Sequence, residues 1–161
     1  MPPTIKISSE SFSSDLLQFF RALEKHRVEC MVVGGEAVIF HGYPRFTGDI
    51  DFFYDLNPAN IQKLYGALLE FWNGSIPGIA SAQELAEEGV VIQFGRPPHR
   101  IDLLNHIDGV SFREAWPNKV EVEICGTGTA IRTAYLGKAE LVQNKRASAR
   151  PKDMDDVEHL T

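Results

Sequence analysis

Val32-Val33-Gly34-Gly35-Glu36-Ala37 and, after a polar loop, Thr47-Gly48-Asp49-Ile50-Asp51-Phe52-Phe53 decide how this chain is read. The second run has the apolar character of a buried strand, yet it carries Asp49 and Asp51. Carboxylates are rarely set among apolar strand residues unless something offsets their desolvation. Alternate strand residues face the same way, so these two share a face, with Cα atoms roughly 6.5–7 Å apart. A third acid, Asp102, sits in a second apolar run, Arg100-Ile101-Asp102-Leu103-Leu104. On a neighbouring strand it would complete an oxygen-rich cluster that repels itself unless a divalent cation neutralises it. Hard carboxylate oxygens suit magnesium or manganese. A strand-end residue turned to solvent is the alternative for Asp49, which follows Gly48, and a poor one for Asp102, which is flanked by apolar residues.

The rest of the chain reads as a mixture of helices and strands. Helices are expected over 9–26 (capped by Ser13, Ser9 or Ser11, with Leu16, Leu17, Phe20 and Leu23 inward), over 36–42, and from Asn57-Pro58 to Trp72. A short acidic helix over 81–88 and two closing helices, 136–147 and 152–160, follow the same logic, and 110–116 holds a helical turn. Strands are expected at 29–33, 49–54, 90–94, 100–105, 119–124 and 130–133, with 90–105 a hairpin and Gly126-Thr127-Gly128 a turn. The order predicts an α+β, or mixed α/β, domain with one mixed sheet and helices packed on it. One domain over 1–161 is expected, with a core at about 28–135 and the closing helices at 136–161.

Composition narrows the class. Hydrophobic residues make up 43% and charged residues 24%, as in an ordinary globular protein. No apolar run is long enough to span a bilayer. Met1-Pro2-Pro3-Thr4-Ile5-Lys6 lacks the apolar stretch of a secretory signal, and Cys30 and Cys125 show no metal-ligand spacing and read as buried thiols. A cytoplasmic location is expected. The net charge of −6 argues against broad, nonspecific nucleic-acid binding, although Lys145, Arg146, Arg150 and Lys152 form a local basic run that reads first as a solvated helix end.

Gly34-Gly35 followed by Asp49-Ile50-Asp51 and a later Asp102 resembles the signature of the DNA polymerase β-like nucleotidyltransferase superfamily. Val32-Val33-Gly34-Gly35-Glu36-Ala37, His41-Gly42, Arg45, Thr47 and the acidic strand are similar to the minimal nucleotidyltransferases of the AbiEii toxin-like branch. Leu141, Lys145, Arg150, Lys152, Asp153, Asp156 and Leu160 resemble that branch's closing helices. The resemblance spans roughly residues 28–160. It implies a polymerase β-like fold and transfer of a nucleotidyl group from a nucleoside triphosphate such as ATP to an acceptor hydroxyl. It also implies two magnesium or manganese ions held by Asp49, Asp51 and Asp102, with Asp102 helping to deprotonate the acceptor. The setting it suggests is toxin–antitoxin or phage defence, with an antitoxin as a further partner.

Gly34 and Gly35 would let backbone amides approach phosphates ahead of a short helix; an ordinary strand-to-helix turn is the alternative. Arg45 and Thr47 read either as phosphate donors or as loop partners of an aspartate. Lys145 reads as a phosphate contact, with solvent exposure as its alternative. Asp153 reads as part of a helix-start salt-bridge cluster, His41 as a packed or capping residue and Asp55 as a strand-end cap. The acceptor is left open between tRNA, protein and a small molecule. A catalytically weak nucleotide-binding module and an antibiotic-modifying enzyme, with Glu84, Glu87 and Glu88 as an acidic wall, are the other readings.

Overall fold

The computed structural model describes residues 4–126 and 128–161; Met1 to Pro3 and Thr127, the middle of the expected 126–128 turn, lie outside the described residues. Among the described residues there are seven strands: β1 (Ile5–Ser8), β2 (Cys30–Val33), β3 (Asp49–Tyr54), β4 (Val91–Phe94), β5 (Arg100–Leu104), β6 (Val120–Cys125) and β7 (Ile131–Tyr135). The helices are α1 (Ser14–Lys25), α2 (Gly34–Phe40), α3 (Pro58–Phe71), α4 (Phe112–Ala115), α5 (Lys138–Ser148) and α6 (Pro151–Leu160). All seven strands join one mixed sheet in the order β1-β6-β7-β2-β3-β5-β4. This is the α+β architecture expected from the sequence.

The acidic strand owes its place to its alternation. Ile50, Phe52 and Tyr54 point to one side of β3, where Phe52 packs against Phe19 and Phe20 of α1, with ring centroids 5.3 Å apart in both pairs. Asp49, Asp51 and Phe53 point to the other side, where Phe53 meets Phe112 of α4 at 5.2 Å. β3 lies antiparallel to β2 and parallel to β5, so it is flanked on both edges and held in register along its length. β4 and β5 pair antiparallel, as the expected hairpin required.

Several boundaries differ from the sequence reading, each for a local reason. The first helix starts at Ser14 because the Ser13 hydroxyl accepts the Leu16 N–H at 3.2 Å, and Ile5–Ser8 instead adds a parallel strand beside β6. Most of β1 is exposed, so no buried alternation announces it. The expected 81–88 helix shrinks to a 3-10 turn, Ala82–Leu85, because the Glu84 carboxylate turns back to accept the Ala80 and Ser81 N–H groups. Glu84 is thereby a loop cap rather than part of an acidic wall. β7 runs on to Tyr135, and the Leu136 N–H bonds the Val32 carbonyl at 3.0 Å, which delays the closing helix to Lys138. Cys30 is buried and Cys125 half-buried, both as free thiols; burial pushes the Cys30 thiol up to about 12.

Candidate active site

The β3–β5 register carries the site. Asp51 lies directly opposite Asp102, and Asp49 opposite Arg100. In-register parallel strands place side chains of like parity side by side, so all four project from one face. Asp49, Asp51 and Asp102 each bring a carboxylate oxygen within 4.8 Å of the others. Asp102 is buried, while Asp49 and Asp51 are half-buried. Three carboxylates at this spacing form a hard-oxygen donor set, which fits a divalent cation such as magnesium or manganese.

The electrostatics of the cluster follow from its crowding. Burial raises Asp51 most, and repulsion from Asp49 and Asp102 adds to it, bringing it to about 7. Burial also raises Asp102, although the Arg100 hydrogen bonds pull the other way. Glu36 in the first turn of α2 is raised by burial and then by Asp49. Burial and mutual repulsion thus favour whatever brings positive charge to the cluster.

Arg100, on the same strand face as Asp102 two residues on, supplies part of it. Its Nη2 donates to Asp49 Oδ2 at 2.7 Å and to Asp102 Oδ2 at 3.1 Å, and its Nε donates to Asp102 Oδ1 at 2.9 Å. The sequence reading missed Arg100 as a site residue. The signal was present in Arg100-Ile101-Asp102, where residues two apart in a strand share a face.

The glycine corner closes over the acids. Gly34 begins α2 at φ +65°, and a Cβ there would collide with Asp51 Oδ2. Gly35 faces the loop: a Cβ on it would stand 2.7 Å from the Thr47 hydroxyl and 3.4 Å from Arg45 Nη1. Thr47 donates to Asp49, at 3.2 Å to its carbonyl and 3.3 Å to its carboxylate. Thr47 is therefore the loop partner of an aspartate.

Arg45 lies against neither Asp49, Asp51 nor Asp102. It forks onto Asp156 of α6, with Nε at 2.8 Å and Nη2 at 3.0 Å from the two carboxylate oxygens. Asp156, a residue without a role in the sequence reading beyond the resemblance, also accepts Lys145 at 3.1 Å. Lys145 in turn reaches Asp153 at 3.3 Å, and Arg150 reaches Asp153 at 2.7 Å. Burial would raise Asp153, but Arg150 and Lys145 outweigh it and hold it below the usual carboxylate range. Asp153 and Asp156 are fully buried and Lys145 nearly so, which removes the solvent-exposed alternative for Lys145. The basic run is thus split: Arg146, Arg150 and Lys152 are exposed, while Lys145 turns inward.

Two cavities flank the acids. One of about 210 Å³ is lined by Gly34, Asp51, His106, Asn144, Lys145 and Arg150. The other, about 190 Å³, is lined by Ser13, Glu36, Thr47, Asp49, His99 and Arg100. His41 caps α2 and donates Nε2–H to the Leu136 carbonyl at 2.8 Å, a packed residue outside both cavities, and burial lowers its affinity for a second proton. Asp55 accepts Arg113 and its carbonyl accepts Asn60 at 2.9 Å, a structural arrangement away from the cluster.

An acid–apolar–acid strand, a third acid on its neighbour and a glycine corner beside them, all on one mixed sheet, are consistent with a nucleotidyltransferase domain. A family model described as nucleotidyltransferase of unknown function (DUF6036) matches residues 14–161, and the chain belongs to that family. No curated protein matches the chain. Among the described residues, no helix is long and apolar enough to cross a membrane.

Proposed function

We propose that this chain is a magnesium- or manganese-dependent nucleotidyltransferase moving a nucleoside monophosphate from a nucleoside triphosphate, ATP among them, to an acceptor hydroxyl. The observation that carries this reading is the convergence of Asp49, Asp51 and Asp102 within 4.8 Å beside Gly34. Two divalent ions held there would neutralise the triphosphate and polarise the reacting oxygens. Asp49, Asp51 and Asp102 would hold them.

The triphosphate enters the 210 Å³ cavity, where Lys145 and Arg150 supply positive charge next to Asp51. Gly34 leaves the backbone bare at the wall of that cavity. Gly35 leaves room for Thr47, which steadies Asp49. Arg45 acts through Asp156, tying the 43–48 loop to the helices that carry Lys145. The acceptor hydroxyl approaches from the 190 Å³ cavity on the Asp49 side. Its oxygen forms a bond to the α-phosphorus as the bond to the β-phosphate oxygen breaks; pyrophosphate leaves, and the proton passes to the Asp102 carboxylate.

The AbiEii toxin-like branch, a toxin–antitoxin or phage-defence setting with an antitoxin partner, and a cytoplasmic location belong to the same reading. One finding supports the branch: Arg45, Lys145, Arg150, Asp153 and Asp156, quoted from two separate stretches of the chain, form one ion-pair network. A single domain over 1–161 is part of the same proposal. The test is incubation with each α-³²P-labelled triphosphate, magnesium and a whole-cell lysate. Label on RNA, protein or a small molecule, lost in Asp102→Asn, is the expected result and names the acceptor. Absence of both labelled product and nucleotide binding would overturn the reading.

A further inference from the structure

We infer that Arg100 is the resident counter-ion of the acidic cluster, positioning Asp49 and Asp102 until a divalent cation displaces it. The inference rests on the metal-dependent reading above and concerns what occupies the carboxylates before metal arrives.

The Arg100 guanidinium engages Asp49 Oδ2 and both oxygens of Asp102. Those are oxygens that a metal at this triad needs. A guanidinium keeps its charge across the biological pH range, so it cannot yield its place by losing a proton. It yields by moving. A planar fork bridging two carboxylates also sets their separation and orientation, which a point charge on a flexible stem does not. The triad is therefore organised in advance, at the cost of a competitor seated among its oxygens.

The surroundings give Arg100 somewhere to go. Its side chain is 29% exposed and lines the 190 Å³ cavity with Ser13, Thr47 and Glu36. Glu36 lines the same cavity and offers the released guanidinium a second carboxylate. Lys145, a buried cation beside Asp51, has no such freedom, because Asp153 and Asp156 hold it. Arg100 is the exchangeable cation and Lys145 the anchored one.

The test measures metal uptake and the arginine itself, without turnover. Free Mn²⁺ is counted by electron paramagnetic resonance against the wild-type protein and against R100Q. R100Q is expected to bind Mn²⁺ at least about tenfold more tightly, because the three charge-assisted hydrogen bonds of Arg100 no longer have to be exchanged for the ion. In parallel, the Arg100 Nε–H resonance, assigned by its absence in R100K, is followed through a Mg²⁺ titration of the wild-type protein. It is expected to be exchange-protected without metal and to shift and lose protection as the ion binds. Should R100Q fail to fold, the wild-type titration decides alone. A resonance unmoved at saturating Mg²⁺, or a folded R100Q that binds Mn²⁺ no more tightly than wild type, overturns the inference while leaving the metal site standing. A wild-type protein that takes up no Mn²⁺ removes both.

Discussion

Asp51 and Asp102 are register partners across the parallel strands β3 and β5, side by side on one face of the sheet. Nothing in the backbone lets them move apart, since β3 is also pinned by β2 and β5 by β4. Their repulsion is built into the fold. It is relieved by a proton, by Arg100 on one side, or by an added cation.

The proton route gives the metal-free protein a specific pH dependence. Asp51 is raised to about 7 in the folded state, so between the ordinary carboxylate range and 7 the folded state binds more protons than the unfolded one. Stability from this group is present at acid pH and lost as pH rises toward 7. In chelator, Asp51→Asn is expected to match wild type near pH 4 and to be more stable by up to about 4 kcal/mol at pH 7.5. Urea unfolding of both proteins across that range checks it. A difference that does not grow with pH would place Asp51 outside the crowded cluster.

Saturating Mg²⁺ should invert that ranking. Asp49→Ala and Asp51→Ala are each expected to lose magnesium-dependent triphosphate binding while keeping the fold. Calorimetry with nucleotide and metal, alongside a circular dichroism spectrum, reads both properties. Normal metal-dependent binding in either variant would remove that residue from the ligand set.

Asp102→Asn is expected to retain triphosphate binding and lose transfer, because one ligand oxygen and the proton acceptor disappear while Asp49 and Asp51 remain. A pyrophosphate-release assay with the identified acceptor measures it. Full turnover in this variant would take Asp102 out of the chemistry.

Gly34→Ala tests the corner. Its φ of +65° strains any side chain, and the new methyl would collide with the Asp51 carboxylate. A stability loss of about 1–2 kcal/mol is expected, together with weakened Mn²⁺ binding as Asp51 is pushed aside. Wild-type values for both would mean that the corner and Asp51 are not in contact.

Lys145 and Asp156 separate binding from folding. Asp156→Ala strands Arg45 and Lys145 beside an emptied site and is expected to cost about 3 kcal/mol in denaturant unfolding. Lys145→Met leaves Asp156 with Arg45 and Asp153 with Arg150, so its stability cost is expected to be smaller. Its triphosphate affinity is expected to fall by about 1–3 kcal/mol if Lys145 meets phosphate. A Lys145→Met protein that binds nucleotide normally would leave Lys145 as a structural cation.

Much of the fold was legible because local chemistry carried it. Asn57-Pro58 started α3 through a side-chain cap at 2.9 Å, apolar runs marked β3 and β5, and alternation marked β6. β1 escaped notice because an exposed edge strand has no periodic signature; its partner, β6, lies more than a hundred residues away. The 81–88 helix failed where the Glu84 side chain outcompeted the helical backbone pattern.

The sequence by itself determined that three carboxylates sit in apolar strands and that two glycines precede the first pair, since desolvation makes such placements costly without a purpose. Only the tertiary structure decided who neutralises them. Strand register brought Arg100 to Asp49 and Asp102, and the packing of α5 and α6 turned Lys145 from an apparent surface charge into a buried one. Charge pairing depends on distances of a few ångströms between residues up to about a hundred positions apart, and the chain order does not encode those distances locally.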